Sequence, residues 1–299
     1  MLTIQKYAAI DIGSNAIRLL IANVIEQKDQ PTLFRKNALI RVPIRLGEDV
    51  FTKGSISSQN QKRMTDALEA FRLLMNIHKV KHYRACATSA MREAANGYAF
   101  AKALKEKTSI NIEIIDGEEE ARIIAATDLH DFIEKDKTYL YVDVGGGSTE
   151  FTVYNKGEAI VSKSFKIGTV RLIRGGVTPA VWQEIESWID YNTNIYSQIR
   201  VLGTGGNINK IFKLSGLKVG KPLTYLYLLE YHKKLNNLSY EDRITQLSLN
   251  PDRADVIIPA LEIYLRAMKW STSEHLFVPK IGLADGIIKS LYLDNIKNI

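Results

Sequence analysis

The chain has 299 residues, 45% hydrophobic and 24% charged, with a single cysteine and a formal net charge of +7. That is ordinary globular composition, long enough for two domains of roughly 150 residues each. It excludes an intrachain disulfide, and no apolar run approaches the roughly 18 residues of a membrane span.

Cys86, the lone cysteine, fits a reducing cytoplasm. The opening "MLTIQKYAAIDIG" carries neither the basic region nor the cleavage site of a signal peptide, so a cytoplasmic location is expected. The positive charge suits a polyanionic ligand. Lys and Arg are scattered, with no run longer than two, so a basic soluble protein accounts for the charge as well. No nucleic-acid or membrane partner is expected.

In chain order, "YAAIDIGSNAIRLLIANVIE" reads as two β-rich runs joined at Gly13-Ser14-Asn15, and "TLFRKNALIRVPIRL" as a further strand and its exit. From Ser57 to about His78, Met64, Ala67, Leu68, Phe71, Leu74 and Met75 recur at helical spacing, with Ser57 or Ser58 as N-cap. "YRACATSA" is strand then turn. Residues 90–107 are helical with a break at Asn96-Gly97, and "INIEIID" is a short strand. "GEEEARIIAATDLHDFI" opens a helix whose first turn holds three glutamates, favourable to the helix dipole. "TYLYVDVGGGSTEFTVYNKGEAIVSKSF" gives three strands, the last two joined at Asn155-Lys156-Gly157. Helices are expected around 179–199 and over 225–237, 255–271 and 284–295. "IRVLGTGGNINKIFKLS" is strand, glycine turn and helix, and "HLFVPKIG" holds a short strand. Strands and helices alternate, so the class is α/β.

An internal repeat organises the whole. "YAAIDIGSNAIRLLIANV" and "YLYVDVGGGSTEFTVYNK" match in register 132 residues apart. Asp11 falls on Asp143, Gly13 on Gly145, Ser14 on Gly146, Asn15 on Gly147 and Arg18 on Glu150. The repeat predicts two similar halves whose glycine hairpins converge on a cleft.

Backbone N–H groups exposed in a glycine turn form an anion nest, and phosphate is its usual guest. Asp11 and Asp143, at the ends of the preceding strands, are placed to reach a Mg²⁺, directly or through water. A merely structural hairpin is the plain alternative for Gly145, Gly146 and Gly147. "GTGGNINKI" is a third glycine turn, and Gly205 and Gly206 would wall the phosphate pocket or simply connect strand to helix. No Walker loop is present, and no G-x-G-x-x-G follows a strand.

The two loops, with "ATSAMREAAN", "GEEEAR", "KIGTVRL" and "RADVIIPALEI", resemble the exopolyphosphatase / guanosine pentaphosphate phosphohydrolase (Ppx/GppA) family along nearly the whole chain. The resemblance implies the actin–Hsp70–sugar kinase superfold: two duplicated actin-like (ribonuclease H-like) domains facing a central cleft. Domain I would comprise 1–124 plus a C-terminal helix at about 286–299, and domain II 125–285. The chain is similar to the family's short form, which lacks a C-terminal helical domain.

The implied activity is Mg²⁺-dependent hydrolysis of terminal phosphate from inorganic polyphosphate, or of the 5′-γ-phosphate of pppGpp. The implied ligand is polyphosphate or guanosine penta/tetraphosphate, and a homodimer is the assembly the resemblance favours. Glu120 would be the general base activating water, and Glu150 a second carboxylate near that water or the metal. Asp143 would help hold Mg²⁺. Gly145, Gly146, Gly147 and Ser148 would cradle phosphate opposite Ser14 and Asn15. Arg92 would bind the scissile phosphoryl group. Arg18 and Arg253 are further candidates for phosphate contact, although Arg18, on a strand, could simply pair with a carboxylate. None of the five histidines is assigned a role, including His130 in an isolated His130-Asp131 pair. Trp182, Trp188 and Trp270 read as core. Two alternatives share the fold: a phosphate- or alarmone-binding regulator without turnover, and a sugar or acetate kinase, which would need an adenosine pocket and an acceptor-site base.

Overall fold

The computed structural model describes residues 2–127 and 132–297. The chain divides into two units, Met1–Thr127 with Gly282–Ile299, and Asp128–Ile281.

In the first unit, β1 (Leu2–Ile12), β2 (Ile17–Gln27) and β3 (Leu33–Val42) form an antiparallel meander. Next come α1 (Leu46–Lys53), α2 (Ser58–Ile77), β4 (His82–Ala87), α3 (Ser89–Glu93), α4 (Gly97–Thr108), β5 (Ile112–Ile114) and α5 (Gly117–Ala125). The sheet order is β3-β2-β1-β4-β5, with β4 parallel to β1 and β5 parallel to β4. The C-terminal half of β1 is buried without a break, as expected of a strand covered on both faces. Ile10, Ile12, Leu19 and Ile21 share a core with Met64, Leu68 and Phe71 of α2. Burial of each such side chain contributes about 1.5–3 kcal/mol. Ser57 caps α2, its Oγ accepting from Asn60 N–H.

The second unit holds β6 (Thr138–Val144), β7 (Thr149–Asn155), β8 (Glu158–Phe165), α6 (Thr169–Ile173), α7 (Pro179–Thr193), β9 (Ile199–Thr204) and α8 (Gly206–Leu214). They are followed by β10 (Leu223–Thr224), α9 (Tyr225–Asn236), α10 (Tyr240–Thr245), α11 (Pro251–Ala254), α12 (Ile257–Trp270) and β11 (His275–Phe277). Its sheet runs β10-β11-β9-β6-β7-β8. Strands β8, β7, β6, β9 and β11 therefore repeat the order and sense of β3, β2, β1, β4 and β5. The tryptophans pack as expected: Trp188 against Phe165 and Phe151, and Trp182 against Trp270 at 6.0 Å between ring centroids. The chain then returns to the first unit as α13 (Leu283–Lys297), which packs on β1, β4 and α5.

The α/β class holds. Four short helices, α1, α6, α10 and α11, are not expected from the sequence, because one or two turns are too few for an apolar period to register. The helical span expected over 179–199 ends at Thr193, since Ile199 opens β9. The His130-Asp131 pair lies outside the described residues. Among those described, no helix is long and apolar enough to cross a membrane.

Candidate functional site

The repeat survives as matched geometry inside each unit. Asp11 stands opposite Arg18 in the β1–β2 ladder, and Asp143 opposite Glu150 in the β6–β7 ladder. Gly13 N–H donates to Ala16 O at 3.1 Å, and Gly145 N–H to Ser148 O at 3.0 Å, closing the same tight turn twice.

A helix start pins each turn from behind. In the second unit, Thr169 N–H donates to Gly145 O (3.0 Å), Val170 N–H to Gly146 O (2.9 Å) and the buried Arg171 Nε to Gly147 O (2.8 Å). In a trans peptide the carbonyl and the following N–H point opposite ways. The N–H groups of Gly146, Gly147 and Ser148 therefore point away from the donors that hold these carbonyls. The first unit repeats the device: Gly47 N–H donates to Ser14 O (2.8 Å) and Arg45 N–H to Asn15 O (3.0 Å). That turns the Asn15 and Ala16 N–H groups outward. Consecutive outward amides are an arrangement that accepts an anion. Gly168 is glycine because a Cβ there would lie 2.5 Å from Gly146 C and Gly147 N. In the sequence, "KIGTVRL" carries the family resemblance without a task of its own, and nothing in "RLG" at 45–47 marks it as the matching element.

The first unit gathers its candidates at the C-terminal ends of β1, β4 and β5, where α/β sheets bind ligands. Arg18 Nη1 lies 2.5 Å from Asp11 Oδ2, so this acid carries its own counter-charge. Ser14 Oγ and Ser89 Oγ share a buried 2.9 Å hydrogen bond that ties the turn to α3. Arg92, near the end of α3, donates Nη1 to Ile115 O at 2.6 Å, bracing the entry of α5.

The three glutamates of α5 part company. Glu118 is exposed, Glu119 is bound by Arg84 (3.0 Å) and Arg122 (2.6 Å), and Glu120 is buried. Hydrogen bonds from Arg122, and then Arg84, hold the Glu119 carboxyl below the usual range despite partial burial.

In the second unit Glu150 is buried and accepts from Ser164 Oγ at 2.8 Å, while Asp143 is half-buried. Asp143 lies beside the third glycine turn: a Cβ on Gly205 would sit 3.5 Å from its Oδ1. That turn is held from below by two fully buried tyrosines. Tyr141 OH bonds Thr204 Oγ1 at 2.7 Å, and Tyr264 OH donates to Thr204 O. Burial, then the Asp143 charge, drives both phenols well above their ordinary value. Arg253 Nη1 donates to Gly206 O at 2.6 Å, so its guanidinium lies over the start of α8. Among the described residues, no group of three or more His, Cys, Asp or Glu side chains forms a metal cluster.

A model of the Ppx/GppA phosphatase family matches residues 22–295. A bifunctional 3-dehydroquinate synthase/phosphatase of Fusobacterium nucleatum is 35% identical over 169 residues, covering 55% of this chain and 25% of that protein. The chain thus spans about a quarter of that relative's length. Exopolyphosphatase 2 of Mycobacterium tuberculosis is 26% identical over 97% of this chain and 99% of its own. Among solved structures, an exopolyphosphatase from Cytophaga hutchinsonii superposes with a TM-score of 0.83 at 23% identity, covering 97% of this chain and 98% of that one, a likeness of fold.

Proposed function

The chain belongs to the Ppx/GppA phosphatase family, and on that premise we propose that it is a Mg²⁺-dependent phosphohydrolase. It releases terminal phosphate from inorganic polyphosphate, the 5′-γ-phosphate of pppGpp, or both. The units described above are, on this reading, two duplicated actin-like domains, each contributing one pinned turn as a phosphate loop. The observation that carries the proposal is the pair of turns whose carbonyls are tied back, by α1 and by α6, so that their amides face outward.

Phosphoryl transfer needs charge neutralised on the equatorial oxygens and an oriented water. The outward amides of Asn15, Gly146, Gly147 and Ser148 bind phosphate oxygens. Arg92 adds positive charge at the scissile group. Glu120 accepts a proton from the attacking water as its oxygen bonds to the terminal phosphorus. The bridging P–O bond breaks, the shortened chain leaves, and Glu120 returns its proton to the products.

The donor set fits Mg²⁺. Asp143 and Glu150 are two carboxylates directly opposite on one ladder, a like-charged pairing that a cation relieves. Mg²⁺ binds through one or two carboxylates, completing its shell with water and substrate phosphate rather than an all-protein cage. When bound, it neutralises phosphate charge. Asp11, already paired with Arg18, is the weaker ligand candidate.

The test is phosphate release from short polyphosphate, long polyphosphate, pppGpp and ATP, with Mg²⁺ or with EDTA. Release that requires Mg²⁺ supports the hydrolase and ranks its substrates. Binding by calorimetry without release would replace it with the regulator reading.

A further inference from the structure

We propose that the C-terminal helix α13 sets the position of Glu120, and that Gly286 is the positioning residue through which it does so. The proposal rests on the reading of Glu120 as general base. At nine residues, α5 is too short to hold itself in water, since isolated helices below about 12–15 residues are marginal. Its pose must come from what it touches.

Glu120, Ile123 and Ile124 are buried positions on one face of α5, at i, i+3 and i+4. Gly286 lies against that face one turn beyond Glu120. A Cβ on Gly286 would fall 2.1 Å from Ile123 O and 2.8 Å from Ile123 C, so the two helices touch backbone to backbone.

Helix α13 is itself anchored to the sheet. Asp285 pairs with Lys36 of β3 at 2.8 Å and accepts from Gly282 N–H at 3.1 Å. Tyr292 OH donates to Glu26 at 2.7 Å, and its ring meets Phe34 and Tyr7 edge-on at 5.4 and 6.0 Å. A second clamp holds the start of α5. Arg84 of β4 grips Glu119 at 3.0 Å and Glu113 at 2.8 Å, and reaches Ser290 of α13 at 3.5 Å. The residues before and after Glu120 on α5 are thus fixed by groups outside it.

A methyl group at 286 needs about 3.2 Å from a carbonyl oxygen, so α5 and α13 must part by about 1 Å. Misplacing a reacting group by that much costs on the order of 100-fold. Gly286→Ala is expected to lower kcat for phosphate release from short polyphosphate about 100-fold, with KM within about threefold, since both phosphate turns keep their contacts.

The discriminating measurement places Gly286→Ala in a Glu120→Gln background. A residue acting only through Glu120 has nothing left to misplace there, so the double variant should match Glu120→Gln. A general structural role would lower both backgrounds by the same factor and overturn the proposal. So would a Gly286→Ala enzyme with kcat within twofold of wild type while Glu120→Gln is inactive. A Glu120→Gln enzyme with wild-type activity overturns this proposal together with the general-base reading. If Gly286→Ala fails to fold by near-UV circular dichroism, Arg84→Met, which releases the other clamp, is read the same way. It should lower kcat in the otherwise wild-type enzyme and change nothing when added to Glu120→Gln.

Discussion

Replacing Gly168 with alanine strikes the device that makes the second loop an anion nest. The new Cβ would stand 2.5 Å from Gly146 C and Gly147 N and 2.6 Å from Gly146 O. These are backbone atoms that cannot rotate away, and carbon contacts settle at about 3.5 Å or more. The loop and α6 must therefore separate by about 1 Å. The hydrogen bonds at 2.9–3.1 Å from Thr169, Val170 and Arg171 N–H then stretch beyond useful length. At about 0.5–1.5 kcal/mol net each, their loss destabilises the unit by about 3 kcal/mol. For a domain of this size that lowers Tm by about 6–12 °C. The amides of Gly146, Gly147 and Ser148 move with the loop, so KM for polyphosphate should rise about tenfold. Thermal unfolding and steady-state phosphate release check both parts. A Gly168→Ala protein with Tm within 1 °C and KM within twofold of wild type would refute the pinned-loop argument.

Removing Arg92 should cost kcat/KM about 100-fold in Arg92→Met and about tenfold in Arg92→Lys, which keeps the charge but loses the fork; equal losses in steady-state assays would mean that charge at 92 is irrelevant. Mg²⁺ at 100 times its Kd should stabilise wild type by about 2.7 kcal/mol and leave Tm of Asp143→Asn unmoved, whereas equal thermal shifts would remove Asp143 from the metal site. Burial pushes the Cys86 thiol up to about 12, from an ordinary value of 9.0. The folded state therefore keeps a proton that the unfolded chain releases, and stability falls as pH rises from about 9 to about 12, by up to about 1.4 kcal/mol per unit. Urea titrations should show a shallower alkaline loss for Cys86→Ala; an unchanged slope would contradict the shift.

The alternation of strands and helices, the two hairpins and the cap at Ser57 were legible in the sequence because each rests on local chemistry. The offset that sets Asp11 on Asp143 reappears as ladder register, with Arg18 and Glu150 as the matching partners. What the sequence hid are contacts between distant segments. Gly168 and Gly286 look like ordinary glycines until the backbone they touch is known. Nothing in the sequence singles out Arg171, yet it is buried and donates to Gly147 O. In "GEEEAR" the resemblance singles out Glu120, but only the fold assigns Glu119 to Arg84 and buries Glu120.

The most direct test of the account is the single-turnover rate of phosphate release from short polyphosphate and from pppGpp with Mg²⁺, wild type beside Glu120→Gln. Wild type should release phosphate, and Glu120→Gln should lose about 100-fold or more of that rate with substrate still bound. Equal rates in the two proteins would contradict it.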